Sequence, residues 1–62
     1  MDKSKIRVLL VEDDEFIRDI FEEILKAEGY DLHVASDGKE AYTLIKNATW
    51  DLILLDVMTC LS

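Results

Sequence analysis

Four consecutive apolar residues, Leu52 to Leu55, leave no polar face along their stretch of chain. A short run of this kind, with Asn47-Ala48-Thr49 before it and Thr59 after, reads as a strand buried on both faces of a parallel sheet. Ile6-Arg7-Val8-Leu9-Leu10-Val11 is a second branched apolar run and reads as the first strand. Its one interior polar residue, Arg7, lies near the start, where it reaches water. Between the two runs the period changes. Phe16, Ile17, Ile20, Phe21, Ile24 and Leu25 recur at a helical spacing, while Arg18, Asp19, Glu22, Glu23 and Lys26 take the other side. Asp14 is the expected N-cap, and Glu15 suits the positive end of that helix. Glu22 and Lys26 form an i, i+4 pair in the favourable orientation. Gly29 is the expected left-handed residue just past the helix end.

Tyr30-Asp31-Leu32-His33-Val34-Ala35 alternates only partly, which predicts a less buried strand at a sheet edge with His33 turned to solvent. Ser36-Asp37-Gly38-Lys39-Glu40 begins a second helix, with Asp37 and Glu40 spaced as a capping box. Ala41, Leu44, Ile45 and Ala48 make its apolar stripe, and Tyr42 sits at the margin. The order is strand, helix, strand, helix, strand. Such βαβαβ units form parallel sheets with crossover helices. Without repeats, low-complexity stretches or linkers, residues 1–62 read as one unit.

Composition narrows the function classes. With 50% hydrophobic and 34% charged residues the chain is neither disordered nor membrane-spanning, and no apolar run approaches the ~20 residues of a membrane helix. One cysteine, Cys60, permits no internal disulfide, and the polar N-terminus is no signal peptide; both predict a reducing, cytoplasmic setting. Fourteen acidic residues against seven basic ones give a net charge of −7, which argues against nonspecific nucleic-acid binding and favours cations. Size sets a further demand. A domain of roughly 60 residues is marginal without a staple, and oligomerisation is the common remedy where no disulfide exists.

The candidate chemistry lies where the strands end. In a parallel sheet every strand finishes on the same side, so Glu12 and Asp13, after the first strand, meet Asp56, after the third, if those strands are neighbours. Open α/β sheets bind ligands at that edge, where the strand order reverses. Three carboxylates there repel one another unless a hard divalent cation joins them, and Mg²⁺ suits one or two carboxylates with water and phosphate oxygens. Asp56 is then either a third ligand or a nucleophile toward phosphorus.

Val8-Leu9-Leu10-Val11-Glu12-Asp13-Asp14, then Glu28-Gly29-Tyr30, Ala35-Ser36-Asp37-Gly38-Lys39-Glu40-Ala41 and Asp51-Leu52-Ile53-Leu54-Leu55-Asp56-Val57-Met58, resemble the receiver domain of bacterial response regulators in register from Ile6 to Met58. The resemblance implies a flavodoxin-like doubly wound parallel sheet, of which this chain supplies the half with strand order 2-1-3. It implies that Asp56 is the phosphoacceptor, taking a phosphoryl group from a sensor histidine kinase. It further implies that Glu12, Asp13 and Asp56, with the backbone carbonyl of Met58, hold Mg²⁺. Such a domain accepts a phosphoryl group rather than turning over a substrate, so it is not expected to be an enzyme.

The resemblance also sets what is missing. Residues 1–62 read as a single truncated receiver-like domain, because the hydroxyl residue of a fourth strand and the lysine of a fifth have no counterpart. Phosphotransfer and switching are therefore expected to be impaired. An uncovered third strand predicts a homodimer through strand 50–58, with exchange of a helix between subunits as the rival arrangement. The alternative function is a structural or dimerisation fragment that is never phosphorylated. A metal-dependent phosphatase is a weaker match, since the Asp-x-Asp such enzymes carry is here Asp56-Val57-Met58.

Overall fold

A computed structural model describes residues 3–55; Asp56, Met58 and the other residues of 56–62 lie outside the described part. A 3₁₀ turn at Lys3–Lys5 leads into β1 (Arg7–Val11), α1 (Glu15–Ala27), β2 (Asp31–Ala35), α2 (Gly38–Asn47) and β3 (Leu52–Leu55). The caps form as expected. Asp14 Oδ1 accepts from the amides of Phe16 at 2.9 Å and Ile17 at 3.2 Å, satisfying two donors that the first turn of α1 leaves open. Gly29 follows the C-cap Glu28 at φ +92° and donates its amide to the Lys26 carbonyl at 3.0 Å, a conformation that strains any residue with a Cβ. Glu22 and Lys26 pair at 2.9 Å. The second cap is half of the expected box. Asp37 Oδ1 accepts from the Glu40 amide at 2.8 Å, but the Glu40 carboxylate turns to the Ser36 hydroxyl at 3.1 Å.

The sheet is parallel throughout, in the order β2-β1-β3. This is the 2-1-3 half-sheet of a flavodoxin-like fold, with β2 at one edge as its partial alternation implies. Register is continuous across the three strands: Val8 lies opposite Leu32 and Leu52, and Val11 opposite Ala35 and Leu55. Paired residues share a face. Leu9, Val11 and Ala35 pack against Ala41, with Leu44 and Trp50 closing over them, so this is the α2 side. Val8 and Leu10, of opposite parity, turn to the α1 side and are equally closed to water. At the start of β3, Asp51 binds β1 twice. Its amide donates to the Arg7 carbonyl at 2.9 Å, and its carboxylate accepts from the Arg7 amide at 2.8 Å.

Three expectations need correction. β3 is not buried on both faces: Leu52 is 46%, Ile53 37% and Leu55 67% exposed. Among the described residues both helices pack chiefly on β1 and β2, and the outer edge of the third strand is unpaired. The stripe of α1 is likewise wider than the sheet beneath it. Ile17 and Leu25 are half-buried, whereas the ridge Phe16, Ile20, Ile24 faces outward, with Phe16 82% exposed. Third, Arg7 and His33 do not simply reach solvent. The Arg7 guanidinium lies 4.7 Å from the centre of the Trp50 ring, and His33 meets the same ring edge-on at 5.1 Å.

Leu9 sits at the middle of the central strand with no exposed surface. Leu9→Ala is expected to cost about 2–5 kcal/mol, enough to unfold most of the chain, as read by urea denaturation followed by circular dichroism. A second test concerns the ion pair of Lys3 and Glu28 at 2.9 Å, which ties the 3₁₀ turn to the end of α1. Its hydrogen bond and charge hold the Glu28 carboxyl below the usual carboxylate range and raise the Lys3 ammonium. The pair therefore supports the fold between those limits. Its contribution disappears as pH falls through the lowered Glu28 value, and again as pH rises through the raised Lys3 value. Carboxyl titration by NMR should find Glu28 ionising at lower pH than it does in Lys3→Met.

Candidate functional site

The acidic stretch Glu12-Asp13-Asp14 begins where β1 ends, and each residue has a different environment. Glu12 prolongs the strand by one rung, donating its amide to the Ala35 carbonyl at 3.1 Å. Its side chain is only 2% exposed. A carboxylate this buried needs donors. Glu12 Oε2 accepts from the Asp14 amide at 3.0 Å, and the Glu12 carbonyl accepts from Arg18 Nη1 at 3.3 Å. Asp13, at the bend that follows, is exposed. Asp14 is committed to capping α1.

Glu12 and Asp13 thus stand together at the C-terminal edge of the central strand, one fixed and one free to approach a ligand in solvent. Their donors are all oxygen, and they fit a hard divalent cation of the Mg²⁺ type that completes its shell with water. Among the described residues no group of three His, Cys, Asp or Glu side chains is assembled for a metal. The expected third carboxylate, Asp56, and the Met58 carbonyl lie outside the described residues. What the sheet does establish is the approach to that point: β1 and β3 are adjacent and parallel, with Val11 opposite Leu55. Glu12 and Asp56 are the next residue of each strand in sequence.

Sequence reasoning missed Arg18, which it assigned to the solvated face of α1. The signal was available. A residue one turn into the helix lies above the strand end that feeds it, so a long cation there can fold back onto the strand's last carbonyl. Among the described residues no helix is long and apolar enough to cross a membrane.

The sequence model of the response regulator receiver domain matches residues 8–59. An uncharacterized transcriptional regulatory protein, YrkP of Bacillus subtilis, is 50% identical over 52 residues, which cover 84% of this chain and 22% of that protein. The DNA-binding response regulator MtrA of Mycolicibacterium smegmatis is 38% identical over 58 residues, 94% of this chain and 25% of its own length. A gliding motility regulatory protein of Myxococcus xanthus is 45% identical over 54 residues, 87% of this chain and 7% of its own length. The chain therefore spans a quarter or less of each of these relatives. No solved structure matches it. With the half-sheet, the acidic pair at its edge and a family match across most of its length, the chain belongs to the response regulator receiver domains, signalling modules of two-component systems.

Proposed function

We propose that this chain is a phosphoacceptor module, in which Asp56 takes a phosphoryl group from a sensor histidine kinase and Glu12 and Asp13 hold the Mg²⁺ that assists. The observation that carries this reading is the register of β1 and β3, with Val11 opposite Leu55 and the candidate carboxylates next in each strand. A bond forms between an Asp56 carboxylate oxygen and phosphorus as the bond from phosphorus to the kinase histidine breaks, its electron pair staying with the imidazole nitrogen. Mg²⁺, when bound, neutralises the phosphoryl oxygens. Glu12, fixed by the Asp14 amide, supplies a preset carboxylate, while exposed Asp13 can adjust to the ion and its waters. The Met58 carbonyl is the remaining protein ligand in this proposal. The chain's own role ends with the acyl phosphate, so it is an acceptor rather than an enzyme, and its setting is the cytoplasm.

The bare third strand favours a second reading beside the first. β3 carries no charge, proline or bulge to protect its outer edge, and Leu52, Ile53 and Leu55 are exposed on it. A second copy pairing antiparallel through strand 50–58 gives an isologous six-stranded sheet. In that reading the chain is a dimerisation fragment, with or without phosphorylation.

Two experiments test these proposals. Incubation with Mg²⁺ and a small acyl phosphate should add one phosphoryl group by intact mass, with none on Asp56→Asn. Glu12→Gln or Asp13→Asn should weaken Mg²⁺ binding by about tenfold or more. An unchanged mass in the wild type would leave only the structural reading. Sedimentation at micromolar concentration should give a dimer, and Ile53→Lys should shift it to monomer.

A further inference from the structure

At the end of the sheet away from the acidic pair, the side chains of Arg7, Asp31, His33 and Trp50 form one cluster on the α2 face. Asp31 Oδ2 lies 3.6 Å from Arg7 Nε, and Asp31 Oδ1 lies 3.3 Å from His33 Nε2. Both separations exceed those of a good charge-assisted hydrogen bond. Arg7 Nε is closed to solvent and finds no hydrogen-bond partner, an orphan donor beside a carboxylate that has not come to it. Trp50 joins the group from the third strand's approach. Arg7 lies over its ring, His33 meets it edge-on with an interplanar angle of 75°, and its Nε1 donates to the Leu44 carbonyl of α2 at 3.0 Å.

We propose that this cluster is a proton-responsive device in which Asp31 changes partner between Arg7 and His33, and Trp50 registers the change. Histidine is the side chain whose charge ordinarily changes between pH 5 and 8. With His33 neutral, Arg7 is the one cation paired with Asp31 among the described residues. When His33 takes a proton from solvent, its imidazolium can close the 3.3 Å gap to a charge-assisted bond, drawing the carboxylate from Arg7. A second cation then stands against the indole that already carries Arg7. Among the described residues the imidazole is paired with Asp31 of its own strand, which also faces Arg7 of β1; Asp51 holds the Arg7 amide, and α2 contributes the Leu44 carbonyl through Trp50. All three ionic side chains are partly exposed, so protons reach them readily and solvent screens the pairs. The response is therefore local, a repacking at Trp50 and the end of α2 rather than unfolding. It is independent of phosphate acceptance at the opposite edge.

The chain holds one tryptophan and one histidine, so both partners can be read in the intact protein. Titration from pH 8 to 5 should move the indole emission and the imidazole ring-proton shift with a common midpoint, emission falling as the imidazolium forms. His33→Gln should abolish the emission step. Asp31→Asn should remove it while the imidazole still titrates. The proposal is overturned if wild-type emission stays flat while His33 titrates, if the step survives in His33→Gln, or if Asp31→Asn leaves it unchanged.

Discussion

β1 is hydrogen-bonded along both edges, and Val8 to Val11 have almost no contact with water. A buried strand must place every backbone donor and acceptor with a partner, so neither β2 nor β3 is dispensable to it. The parallel sense of both pairings follows from the two crossover helices, and it brings the ends of all three strands to one edge. The inward side chains of β1 then define two thin cores, one under each helix. Among the described residues the buried apolar side chains are Val8 to Val11, Ala35 and Ala41, so the position of this strand decides the rest of the architecture.

The acidic pair inherits its geometry from the same strand. Glu12 is buried directly past Val11, and Asp13, at the bend that follows, is exposed. Burial would make Glu12 costly, but the backbone of its own loop meets it through the Asp14 amide, while Arg18 anchors its carbonyl. The same short loop thus starts α1, through the Asp14 cap, and fixes a carboxylate at the sheet edge. The cap of the helix and the placement of the Glu12 carboxylate rest on the same residue, Asp14.

Much of this was legible in the residues. Strong period and explicit caps marked α1, with Asp14 and Gly29 at its ends, and the two apolar runs marked β1 and β3. What could not be read was coverage. The run Leu52–Leu55 records the surroundings its residues prefer, and nothing in it says whether this stretch of polypeptide supplies them. The outward ridge Phe16, Ile20, Ile24 misled for the same reason. The Arg7, His33 and Trp50 contacts depend on register between strands 20 or more residues apart, and local periodicity carries no register. Asp56 and Met58 remain proposals, resting on family membership and on strand adjacency.

The double hold of Asp51 on Arg7 fixes the alignment of the outer strand on the central one. A sliding strand exchanges its two faces with each residue of slippage, and an all-apolar segment such as Leu52–Leu55 offers little resistance to that by side-chain preference. Here a carboxylate grips the neighbouring main chain before the segment begins, acting as a stop against which the ladder is counted. Which residue of β3 stands opposite Val11 is consequently settled upstream, by a carboxylate at the other end of the strand.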